Sequence, residues 1–166
     1  MPILVHLTDE RESKKILNAG IKIGKYARGV YCMPVLPNFY ITHQWLRELK
    51  RGGAKTFVAV YFRLKSSELV FSGKFGKPHR HIPLGEAIKE IMELEDPLGY
   101  ELIIDRKINP TEISKIKHLP QTIGWRFWPE SKGKKPCNCE FCLKGLIKGK
   151  RTKNRLDAKA NKPDND

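Results

Sequence analysis

The sequence predicts an α+β fold with a split, mainly antiparallel sheet and flanking helices, and three observations carry that prediction. Short runs rich in β-branched and aromatic residues are intermixed with stretches of helical period. They do not alternate as regular βαβ units, and no Gly-rich phosphate loop follows the first apolar run. Hydrophobic residues make up 40% and charged residues 30% of the 166 positions, with large apolar side chains spread from Ile3 to Trp128. Such a composition buries a core, which sets the folded part at residues 1–128. A basic, Cys-containing appendage follows over 129–155, and a polar tail over 156–166 offers no packing face and reads as disordered.

Residues 3–7 form a short apolar run containing His6, which fits a buried strand, and Thr8 or Asp9 then caps a helix over about 10–18. Gly20 stands where that helix ends, and the segment 20–32 reads as extended chain interrupted by Gly24 and Gly29. Pro34 and Pro37 impose a turn. Phe39, Ile41, Trp45, Leu46 and Leu49 then recur at three- and four-residue spacing, so one amphipathic helix is expected over 39–49, ended by Gly52 and Gly53. The near-continuous apolar run TFVAVYFRL marks a strand deep in a sheet. The polar, Gly- and Pro-containing SGKFGKPHRH reads as an exposed loop, IPLGEAIKEIMELE as a helix and YELIIDRKI as a strand. Pro110 makes the next turn, and ISKIKHL is short enough to be either a helix or a strand end.

A formal net charge of +14 points to a polyanionic partner, nucleic acid first, because neutralised phosphates release their condensed counterions. No run approaches the roughly 20 apolar residues that span a bilayer, and MPILVHLTDE lacks the features of a secretion signal. A cytoplasmic protein with no membrane partner is therefore expected, its oligomeric state open. Clustering of Cys137, Cys139 and Cys142 agrees with a reducing compartment. The three thiols are close enough in sequence to hold one zinc ion, but tetrahedral zinc takes four ligands. Cys32, His43 and His118 are the candidates for the fourth; a disulfide or plain reduced thiols are the alternatives.

Two basic segments are candidate phosphate contacts. Lys74, Lys77 and Arg80, with His79 and His81, lie in the expected loop over 72–81, and Lys148, Lys150 and Arg151 lie in the appendage. Trp125, Phe127 and Trp128 fall just upstream of the appendage. The first two, at alternating spacing, fit a core strand better than a base-stacking surface.

Three segments carry chemistry together: VHLT with His6 and Thr8, RGVYCMPVLPNFYITHQWL with Tyr31 and Tyr40, and GYELIIDRKINPTEI with Glu101. In order and context they resemble the His-Tyr-Glu form of the ADP-ribosyltransferase superfamily, and within it the DNA-modifying DarT-like toxins, over roughly residues 4–119. The resemblance implies an ADP-ribosyltransferase-like fold and NAD as substrate. It assigns His6 to a ribose hydroxyl, Tyr31 to stacking on nicotinamide with Tyr40 as the second aromatic, Thr8 to positioning, and Glu101 to catalysis. A carboxylate suits that last role, because breaking the nicotinamide–ribose bond develops positive charge on the sugar. Position 99 is Gly, without the acidic or amide side chain that arginine-modifying members place there, so arginine is a disfavoured acceptor. Two other functions stay open. An RNA 2'-phosphotransferase would enlist Arg28, Arg80 and His81, and a non-catalytic nucleic-acid-binding module would rely on the basic tail with a zinc-knuckle-like cluster.

Overall fold

The computed structural model describes residues 1–50, 53–121 and 123–124. Strands β1 (Ile3–Asp9), β2 (Val30–Pro34), β3 (Phe57–Arg63), β4 (Leu69–Lys74), β5 (Arg80–Pro83), β6 (Tyr100–Ile104) and β7 (Ile113–His118) form one sheet in the order β5-β4-β6-β2-β1-β3-β7. Every pairing is antiparallel. The fold class is thus α+β, as the intermixed patterns predict.

The sheet is two ladders joined at a narrow seam. On one side β1 pairs with β3 over its whole length, from Ile3↔Arg63 to Asp9↔Phe57, and β3 pairs with β7. On the other, β6 lies between β2 and β4, with β5 at the edge. Only Leu4↔Pro34 and Val5↔Met33 connect β1 to β2, and beyond them the two strands part.

Both faces are covered, which explains why β3 is apolar throughout. Val60 and Phe62 face a cluster with Ile16 of α1 (Ser13–Ala19) and Leu84, Ala87 and Ile91 of α4 (Leu84–Glu93). Phe57, Ala59 and Tyr61 face the opposite cluster, which includes Leu46 of α3 (Leu46–Leu49) and Ile41 of α2 (Phe39–Thr42). In α4 the buried residues recur at i, i+3 and i+7, the stripe that seats a helix on a sheet.

Three readings of local structure change. The helix expected over 39–49 is two short helices, because the residues between them bond sideways: Gln44 Nε2 donates to the Pro97 carbonyl (3.1 Å), Gly99 N donates to Gln44 Oε1 (2.7 Å), and Trp45 Nε1 donates to the Tyr100 carbonyl (2.8 Å). The expected loop over 72–81 is instead the β4–β5 hairpin, whose pairing runs from Leu69↔Pro83 to Ser72↔Arg80. In the segment 20–32 only Ile21, bridged to Ile108, and residues from Val30 onward make sheet contacts. ISKIKHL resolves as a strand, β7. The appendage over 129–155 and the tail over 156–166 lie outside the described residues, as do Trp125, Phe127 and Trp128.

Candidate functional site

The seam between β1 and β2 creates the site. Where the strands part, the Tyr31 carbonyl on the vacated edge of β2 accepts a hydrogen bond from His6 Nδ1 (2.7 Å). A carbonyl oxygen only accepts, so Nδ1 carries the proton and Nε2 presents a lone pair. Desolvation holds the imidazole below its usual range, which keeps His6 neutral at physiological pH. His6 Nε2 makes no hydrogen bond to the described residues and is free to accept one from a ligand hydroxyl.

His6 separates two cavities. The first, of about 470 Å³, is walled by His6, Tyr31, Met33, Trp45, Phe75 and Glu101. The second, of about 500 Å³, lies beside α1 and is lined by His6 and Thr8 with Glu12, Lys15, Asn18 and Lys22. Either is in the range of small-ligand pockets, about 300–1,000 Å³.

Glu101 and Tyr31 reach the first cavity from one face of the sheet. Tyr31 pairs directly with Ile103, and side chains two apart on a strand share a face, so Glu101 stands on the Tyr31 side. Tyr31 is 41% exposed, too open for a core aromatic. Trp45, pinned by its bond to the Tyr100 carbonyl, meets Phe75 edge to face at 5.7 Å, and the two complete an aromatic wall.

Glu101 is buried, with 7% of the residue exposed, and its Oε1 lies 3.1 Å from His79 Nε2. Burial pushes its carboxyl above the usual carboxylate range, and the adjacent His79 opposes that push. Of this pair, Glu101 lines the cavity and His79 does not.

His6, Tyr31 and Glu101 thus meet in one cavity from three strands, and Thr8 lines the neighbouring one. Tyr40 does not join them: it is 56% exposed, packs edge to face on Phe39 and lines neither cavity. Trp45 and Phe75 supply the aromatic surface instead. Of the basic residues in the hairpin, Lys77 is exposed at the tip, Lys74 lies 4.0 Å from Asp96, and Arg80 is held by Glu90 (2.6 Å) and Glu86 (3.4 Å). Lys148, Lys150, Arg151, Cys137, Cys139 and Cys142 lie outside the described residues. Among the described residues no group of three or more His, Cys, Asp or Glu stands together as a metal site. Cys32 is buried with its thiol pushed up by desolvation, and His43 uses both ring nitrogens on the Phe39 carbonyl and the Tyr61 hydroxyl. His118 faces Glu10 at 3.5 Å.

Sequence reading places His79 among the candidate phosphate contacts, not beside Glu101, and passes over Trp45 and Phe75 as parts of this site. His79 sits in a polar Gly- and Pro-containing segment that looks solvated, and its burial comes from β6, more than 20 positions away. No helix among the described residues is long and apolar enough to cross a membrane. Comparison of the chain with protein-family models, curated proteins and solved structures gives no match.

Proposed function

We propose that this chain is an NAD-dependent ADP-ribosyltransferase whose acceptor is a nucleic acid. The observation that carries the proposal is the convergence of His6, Tyr31 and Glu101, from three separate strands, on one cavity of about 470 Å³. Bound NAD supplies an activated glycosidic bond. Tyr31, with Trp45 and Phe75, offers flat apolar surface for the nicotinamide ring. His6 Nε2 accepts from a ribose hydroxyl, and Glu101 places negative charge where positive charge develops on the sugar. The second cavity, which shares His6 with the first, gives the adenosine half of NAD a place beside α1.

Nucleic acid as acceptor is supported by the net charge of +14 and by a stack on the same sheet face. The Arg28 guanidinium lies 3.8 Å from the Phe71 ring centroid, and His81 stacks on Phe71 at 4.3 Å and 14°. Phe71 pairs with Ile103 across the ladder, and so shares the face of Tyr31 and Glu101. Flat cationic and aromatic groups of this kind receive unpaired bases. The double variant Arg28→Ala/His81→Ala should lower transfer to the acceptor roughly tenfold, given about 1–3 kcal/mol per stacked base. Nicotinamide release without acceptor should stay at the parent rate; an equal fall in both would remove the stack from the acceptor path.

The test is incubation of the full chain with NAD labelled in its adenylate half, against single-stranded DNA, duplex DNA, RNA and protein, with nicotinamide release followed in parallel. Label on a single-stranded nucleic acid is the expected result. Absence of both transfer and nicotinamide release across the panel would overturn the proposal.

A further inference from the structure

We infer that His79 is the positioning residue of Glu101: its ring supplies the proton that keeps Glu101 a carboxylate and fixes one carboxylate oxygen, leaving the other for the ligand. This inference rests on the reading of Glu101 as the charge-stabilising group.

His79 Nδ1 lies 3.0 Å from the Lys77 carbonyl, which only accepts, so Nδ1 carries a hydrogen. Its Nε2 lies 3.1 Å from Glu101 Oε1. Two lone pairs facing each other at that distance would repel, so one proton lies between these atoms. Placed on nitrogen, that proton makes the bond charge-assisted and leaves Glu101 as the carboxylate. Side-chain exposures of 8% for His79 and 9% for Glu101 mean that water does little to stabilise the carboxylate; the ring does it instead. Glu101 Oε2 makes no hydrogen bond to the described residues, and Glu101 lines the cavity.

The ring is also held in place. Gly73 is the direct partner of Glu101 in the β4–β6 ladder, and the ring lies over its bare backbone: a Cβ there would stand 3.0 Å from His79 Cγ. The hairpin tip is tied to the start of β6 by Phe75 N donating to the Gly99 carbonyl (2.7 Å), and Lys77 N donates back to the Lys74 carbonyl (3.0 Å). The other titratable groups on this cavity come from β1, β2 and α3. They are His6, held neutral, Cys32, held as the thiol, and Tyr31 and Glu48. Lys74, at the tip end of β4, pairs with Asp96 (4.0 Å). Among the described residues, the hydrogen-bond partner of the Glu101 carboxylate is His79.

The decisive measurement is a carbon-13 NMR titration of the Glu101 side-chain carboxyl in the parent, in His79→Gln and in His79→Ala, with the backbone amide spectrum checking the fold. Gln keeps a neutral donor near Nε2 and guards against loss of folding in the Ala variant. The expected result is that the Glu101 midpoint rises by about 1–3 pH units in His79→Ala, as for loss of an adjacent opposite charge, and by less in His79→Gln. In turnover, the acid limb of the pH profile for nicotinamide release moves the same way, so the defect of His79→Ala shrinks as pH rises. A midpoint that stays put overturns the inference whether or not the parent cleaves NAD. A midpoint that moves in a chain that never cleaves NAD leaves the inference standing and removes the proposed activity.

Discussion

Glu101→Gln should reduce nicotinamide release and transfer by about 10²–10³-fold or more, the scale of losing one preorganised stabilising group in an enclosed site. Gln preserves the volume and planar end of the side chain, so the cavity keeps its shape and only the charge is lost. The loss should fall on kcat, with KM for NAD changing little, because the carboxylate meets full positive charge only as the glycosidic bond breaks. Stability should fall, since removing one partner of a buried pair leaves His79 without its counter-group. The rate of the protein that remains folded therefore separates chemistry from structure. A merely structural Glu101 would lower the melting temperature and spare that rate, and parent-level turnover in a folded Glu101→Gln would remove Glu101 from catalysis.

The same pair of residues shows what the sequence made legible. Glu101, His6 and Tyr31 stand at strand positions whose neighbours form short motifs, so local context singles them out as candidates, and the structure brings the three to one cavity. The continuous apolar run of β3 likewise announced burial on both faces, and the structure places helices over each. His79 had no such context. Its segment contains the residues of a solvated turn, and only the pairing of β4 with β6 brings it against Glu101, 22 positions away. Trp45 was visible as an apolar helical residue but not as a cavity wall, because its orientation comes from a bond to the Tyr100 carbonyl 55 positions on. The break between α2 and α3 has the same origin in the bonds that Gln44 makes to the turn before β6. Tyr40 differs: its spacing from Tyr31 suits a second stacking aromatic, yet it stands exposed on α2 against Phe39 and lines neither cavity. Periodicity reports which face a residue takes within its own element, whereas the placement of His79, Trp45 and Gln44 depends on which element lies opposite.

Gly20→Ala should lower the melting temperature by on the order of 10 °C, about 3 kcal/mol for a domain of this size, more than most single substitutions outside the core. Gly20 ends α1 with φ 77° and ψ −177°, a backbone conformation essentially confined to glycine. A side chain there costs about 1–3 kcal/mol in strain alone, and its Cβ would also overlap the Ile108 carbonyl oxygen. That carbonyl is engaged: Ile21 N donates to it (2.9 Å), and Ile108 N donates back to the Ile21 carbonyl (3.0 Å). Ile21 and Ile108 are both buried, so moving either strand to relieve the overlap opens the core. Gly76, at φ 75° with open space around it, is the control. Asn tolerates positive φ, so Gly76→Asn should melt within a few degrees of the parent. Calorimetry on the two variants therefore distinguishes steric exclusion at the end of α1 from glycine loss in general. Because Ala19, Gly20 and Ile21 line the second cavity, the Gly20 variant should also raise KM for NAD at temperatures where it remains folded. Melting unchanged from the parent would mean that the α1 terminus yields without disturbing Ile108, and the second cavity would then lack the rigid floor proposed for the adenosine half.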